Sequence, residues 1–113
     1  MDYLKIRSQM RKGFLEYCVL GILSGGEAYV SDILKAFREA KLIVVEGTLY
    51  PLLTRMKNEG LLSYRWEEST GGPPRKYYSL TPRGASLFEQ LHKEWDDIKN
   101  AIDMIVKHPD HQE

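Results

Sequence analysis

A chain of 113 residues, 42% apolar and 28% charged, has the size of one domain with one modest core, and its composition is that of a soluble globular protein rather than a disordered one. No apolar run reaches the roughly 18 residues that a membrane span needs, and the start MDYLKIRSQMRKG has no signal-peptide core, so a cytoplasmic protein without a membrane partner is expected. Formal net charge is zero, but residues 1–83 carry 13 Lys and Arg against 9 Asp and Glu (+4), and residues 84–113 carry 3 against 7 (−4). An acidic end therefore masks a basic body, and basic surface is what attracts phosphates.

Residues 4–24 predict a long first helix, with Phe14, Leu15, Tyr17, Cys18, Val19, Leu20, Ile22 and Leu23 apolar on nearly every side. Such a helix is not a surface helix and is expected to pack on its own domain and on a second subunit. The lone Cys18 cannot form an intrachain disulfide and reads as a small buried hydrophobe. Ser24-Gly25-Gly26 closes the helix. A second helix is expected from Tyr29 to Lys41, with Val30, Ile33, Leu34 and Phe37 forming one buried stripe. Leu42-Ile43-Val44-Val45 is too short for a helix and reads either as a brief strand that pairs with a hairpin edge or as an extended connector.

The third helix begins within residues 46–48 and ends at Gly60, with Leu49, Leu52, Leu53 and Met56 facing the core. At 100° per residue, Gly47, Tyr50, Pro51, Thr54 and Asn58 fall on the opposite face, with Thr48 and Arg55 on one flank and Lys57 on the other. Pro51 reads as lying at the edge of the first turn. Ordinary exposed faces carry Glu, Lys and Gln, whereas these small and flat groups let a backbone come close, as a helix in a DNA major groove requires.

Leu62, Tyr64 and Trp66 alternate with Ser63, Arg65 and Glu67 in the pattern of a half-buried strand, and Lys76-Tyr77-Tyr78-Ser79-Leu80 is its return partner. Residues 68–74, ESTGGPP, have nothing apolar to hold them and predict a projecting, mobile tip with Arg75 and Lys76 at its base. Adjacent cations there suit phosphate contact or entry into a minor groove. Thr81-Pro82 signals a helix start, Thr as N-cap and Pro at the first helical position. In the last helix Phe88, Leu91, Trp95, Ile98, Ile102 and Ile105 step by 3, 4, 3, 4 and 3, the a and d positions of a heptad. This narrow seam reads as a homodimer interface packed with the first helix of either subunit, the alternative being an amphipathic helix on its own core. Pro109 and the polar end mark fraying.

The fold class expected is therefore mainly α with a small β-hairpin wing: a winged helix-turn-helix over residues 1–81, a dimerisation helix over 82–108 and a tail over 109–113. The segment GTLYPLLTRMKNEGLL, followed by Trp66 and GPPRKYYSLTPRG, resembles the signature of the PadR family of bacterial transcriptional regulators over residues 13–84, and the single final helix resembles that family's short-tailed members. The resemblance implies a homodimeric repressor that binds a palindromic duplex DNA operator and releases it when a small molecule arrives. Carried across, Gly47, Thr48, Leu49, Tyr50 and Pro51 match the start of the recognition helix, and Gly72, Pro74, Arg75, Lys76 and Tyr78 match the wing.

In multidrug-responsive short-tailed members a tryptophan placed like Trp95 is paired across the dimer around a cavity for flat aromatic cations. The resemblance thus points to a planar aromatic effector near Trp95, with Asp96 and Lys99 along the same helix and Phe14 and Tyr17 from the first. A Trp is too large to meet its symmetry mate in a tight seam without opening space, so Trp95 either lines a pocket or serves only as an interface anchor. No Gly-rich phosphate loop or nucleophile with a His partner is present, so no enzyme is expected. Cys18 and His92 are isolated and His108 and His111 lie near the end, so no metal or other cofactor is expected either. The rival from another class is a winged helix used as a protein-interaction module, which zero net charge favours.

Overall fold

The computed structural model describes residues 2–107, in the order α1 (Tyr3–Ser24), β1 (Ala28–Tyr29), α2 (Val30–Glu39), α3 (Glu46–Asn58), β2 (Leu62–Ser69), β3 (Gly72–Leu80) and α4 (Pro82–Val106). The expected helix end at residue 108 and the tail 109–113, with His108 and His111, lie outside the described residues. The core is one cluster: Val19, Leu20 and Leu23 of α1, Ala28 of β1, Ile33 and Phe37 of α2, Val44 before α3, Leu49, Leu52, Leu53 and Met56 of α3, with Leu61, Leu62 and Tyr78 at the base of the wing. These are the stripes set by the 3.6-residue period. Among the described residues no helix is long and apolar enough to cross a membrane, and no His, Cys, Asp and Glu group of three or more can hold a metal ion.

Helix ends follow local chemistry. Gly60, at φ 80°, closes α3: its N–H reaches the Lys57 carbonyl and the Leu61 N–H reaches that of Met56, which satisfies the last turn. Lys41 does the same for α2 at φ 63°, so that helix stops at Glu39, two residues earlier than its sequence pattern predicts. Tyr29 precedes α2 as its N-cap rather than opening it, and the Asp32 carboxylate accepts the Tyr29 N–H at 3.0 Å. Pro51 lies in the interior of α3 and not at the edge of its first turn, because the helix already begins at Glu46; the bond from residue 51 to the Gly47 carbonyl is absent.

The sheet order is β1-β3-β2, antiparallel throughout. Its third strand is Ala28–Tyr29, paired with Tyr78 and Tyr77, and not residues 42–45, which form no strand. The left-handed turn at Lys41 sends that segment to α1 instead, where Val44 is buried and the Arg11 guanidinium donates to the Ile43 carbonyl. Residues 68–74 are not a loose tip either. The ladder continues to the Ser69–Gly72 pair and leaves Thr70-Gly71 as the turn, with Gly71 at φ 77°. Between the Glu67–Arg75 and Ser69–Gly72 pairs the register shifts, so that Pro73 and Pro74 stand opposite Glu68. Two prolines that cannot donate to a ladder fit such a bulge.

At α4 the start is as expected: Thr81 caps with Pro82 behind it, and its Oγ1 accepts the Gly84 N–H at 3.0 Å and donates to the Gly60 carbonyl at 2.6 Å. Gly84 is required here, since a Cβ would stand 2.1 Å from the Leu61 carbonyl oxygen. From there α4 crosses α1, with Phe88 over Gly21, and extends past the domain, giving a molecule 65 Å in its longest dimension.

Candidate nucleic-acid interface

The expected outer face of α3 is exposed in every member, Gly47, Thr48, Tyr50, Pro51, Thr54, Arg55 and Asn58. Tyr50, Pro51, Thr54, Arg55 and Asn58 line one shallow groove along the helix, while Thr48 opens onto a different cleft, beside α1. Arg55 is held on its flank by Glu16 of α1 at 3.0 Å, an exposed pair of small energetic worth that nonetheless directs the guanidinium.

The wing is more ordered than its composition implies. Because strand side chains alternate, Arg75 and Lys76 point to opposite faces of β3. Lys76 lies on the face shared with Tyr64, Trp66 and buried Tyr78, its ammonium 4.4 Å from the Tyr64 ring centre and 5.5 Å from that of Trp66. Trp66 is itself 61% exposed, because the hairpin has by then run beyond the core; the half-buried pattern expected of β2 holds only through Leu62 and Tyr64.

On the other face a column crosses all three strands. The Arg75 guanidinium stacks on Tyr29 at 4.6 Å, Tyr29 on Tyr77 at 4.5 Å, and Arg65 on Tyr77 at 4.6 Å. Arg65 is fixed by Glu27 at 3.2 Å and by Glu67, and these carboxylates hold its proton still more firmly than usual. Wing and helix meet at a cleft of about 340 Å³ whose wall includes Tyr29, Glu46, Tyr50, Trp66, Arg75 and Lys76. Gly72 and Pro74 lie on the exposed hairpin end, with Pro74 on this wall. Tyr29, Tyr77, Arg65 and Glu27 escaped the sequence reading because a two-residue strand leaves no periodic signal, and the column depends on that strand.

A second cluster joins α1 to α4. Trp95 lies 6.4 Å from Phe14 and 6.0 Å from Tyr17 between ring centres, Tyr17 stacks on Phe88 at 5.7 Å, and the Tyr17 hydroxyl is 2.7 Å from His92 Nδ1. Partial burial, then the charges of Asp96 and Cys18, raise the Tyr17 pKa. The structure thus brings Phe14, Tyr17 and Trp95 together, adds His92, and leaves Lys99 on the exposed surface of α4. Of the seam residues, Phe88 and Leu91 pack on the chain's own core, whereas Trp95, Ile98, Ile102 and Ile105 are exposed, rising from 39% to 73% along the helix.

Three helices followed by a hairpin that flanks the third, with a long helix after it, make this a winged helix-turn-helix protein. A model of the transcriptional regulator PadR-like family matches residues 19–90, and the chain belongs to that family. It is similar to a PadR-like transcription factor from Bacteroides fragilis, with 55% identity, 90% of this chain and 99% of that chain covered, and a TM-score of 0.77. A PadR family regulator from Eggerthella lenta is 27% identical, covers 92% of this chain and 91% of its own, and superposes with a TM-score of 0.81. Bacillus subtilis PadR, solved in complex with operator DNA, is 28% identical over 68% of this chain and 44% of that one, with a TM-score of 0.65.

Proposed function

We propose that this chain is a cytoplasmic repressor that binds a palindromic duplex DNA operator as a homodimer and releases it when a planar aromatic effector binds near Trp95. The observation that carries the reading is that Tyr50, on the exposed α3 face, also lines the cleft that holds the wing cations Arg75 and Lys76. Tyr50, Thr54, Arg55 and Asn58 enter the major groove, Gly47 and Pro51 allow close backbone approach, and the wing cations meet phosphates alongside. The complex of Bacillus subtilis PadR with operator DNA supports this use of the fold.

One copy presents a short helix and two wing cations, little for tight binding at physiological salt. The exposed apolar row from Trp95 to Ile105 supports pairing of two copies, which sets two recognition helices about 34 Å apart, one turn of duplex. Selection from a random duplex library with the full chain tests the reading. An inverted repeat with half-sites one helical turn apart is expected; no enrichment over input, or a monomer in sedimentation at micromolar concentration, refutes it.

A further inference from the structure

Between α1 and the segment that leads into α3 lies a cleft of about 380 Å³ that the recognition helix helps to form. Arg7, Ser8, Arg11 and Lys12 line one wall, residues 43–45 the floor, and Thr48, in the first turn of α3, the far side. None of the residues that line it is acidic, and among the described residues none of the three cations has a carboxylate partner. Arg11 is half-buried and donates to the Ile43 carbonyl, which fixes it toward the start of α3.

The local sequence makes these cations costly for α1 itself. From Tyr3 to Leu15 there is no acid, while Lys5, Arg7, Arg11 and Lys12 crowd the half of the helix nearest its positive dipole end, with Asp2 alone at the cap. A helix selected for its own stability carries the opposite charge there. The cleft they line reaches Thr48, which is exposed in the first turn of the helix assigned to DNA.

We propose that Arg7, Arg11 and Lys12 are a second backbone-binding element, which holds the DNA phosphates bordering the groove at the N-terminal end of α3. This rests on the DNA-binding reading above and extends it: the wing holds the duplex on one side of α3 and the first helix on the other. Both flanks of the recognition helix are then tied to the sugar-phosphate backbone, which fixes its register.

The test uses the full chain, a duplex enriched by the wild type, and binding measured across a salt series. Replacing all three (Arg7→Gln, Arg11→Gln, Lys12→Gln) removes up to three phosphate contacts per copy, so the slope of log affinity against log salt shrinks by up to about 5 in a dimer, and affinity at 0.15 M salt falls at least about tenfold. Lys93→Gln on exposed α4 keeps the wild-type slope. An unchanged slope in the triple variant, with wild type bound, overturns this inference and leaves the DNA reading intact. An equal change in Lys93→Gln overturns it too, as does a weakened dimer whose slope at saturating dimer is unchanged, which assigns the cleft to the second copy. Failure of the wild type to bind any duplex removes the DNA reading, and this inference with it. Far-ultraviolet circular dichroism of the triple variant, expected to match wild type, separates lost contacts from lost fold; if the variant is unfolded, the single exposed change Arg7→Gln is read by the same slope.

Discussion

The guanidinium of Arg75 sits over the ring of Tyr29, its Cζ 4.6 Å from the ring centre, although the two are separated by the whole of α2, α3 and β2. Stacking occupies the face of the guanidinium and leaves its N–H edge free to donate. Tyr29 is therefore a positioning residue for the wing arginine. Tyr29→Ala is expected to weaken DNA binding by about five- to thirtyfold, from roughly 0.5–1 kcal/mol per exposed cation–π contact in each of two copies. Tyr29→Phe keeps the ring and should keep the affinity. Fluorescence anisotropy on a labelled duplex measures both, and equal loss in the two variants would point to the hydroxyl instead.

Tyr50 stands exposed where the α3 face meets the wing cleft. Tyr50→Ala and Arg75→Ala should each abolish the gel shift while sedimentation still reports the wild-type assembly. Unchanged shifts in both variants would sink the DNA assignment.

Gly84 tests the fold rather than the site. The Leu61 carbonyl that a Cβ would meet cannot retreat, since the Leu61 N–H is bonded to Met56 and its oxygen accepts the Thr81 N–H at 3.1 Å. Gly84→Ala should cost about 2–3 kcal/mol, lowering Tm by roughly 10 °C in a calorimetric scan.

Trp95 sits against Phe14 and Tyr17, while Trp66 is far out on the wing. A planar aromatic cation should quench tryptophan emission, and Trp95→Phe should remove most of that response. If the quenching survives in Trp95→Phe and vanishes in Trp66→Phe, the effector does not bind at the α1–α4 cluster.

Tyr78 is 3% exposed, and burial, followed by the neighbouring Tyr64 and Tyr50, raises its hydroxyl above the ordinary value of 10.0. The folded chain then keeps a proton that the unfolded chain loses. The stability so contributed is complete below pH 10 and disappears as pH rises through the raised folded value. Ultraviolet titration should show Tyr78 ionising above its ordinary range, together with unfolding. Tyr78→Phe removes that step.

Much of this was legible in the residues. The α3 face follows from a 100° rotation applied to a strongly periodic helix, and the breaks at Gly60 and Thr81 follow from cap chemistry that acts within a few residues. What escaped was non-local. The pairing of Ala28–Tyr29 with β3 depends on Tyr77 across the fold, Trp66 is exposed because of where the core ends, and the basic cleft exists because Lys41 turns residues 42–45 back onto α1. The heptad seam also divides in space: Phe88 and Leu91 meet the chain's own core, and the exposed row starts at Trp95.

The contact between Gly84 and Leu61 makes the start of α4 a fulcrum. The helix is about 37 Å long at 1.5 Å per residue, and its start is clamped to the exit of α3 by the Gly84–Leu61 backbone contact and the Thr81 hydroxyl. A tilt of about 3° about that clamp carries the far end roughly 2 Å sideways, by the same length. With its pivot at Gly84, the long arm has the geometry of a reduction gear: a displacement at the apolar end would reach the exit of α3 reduced by the ratio of their distances from that contact.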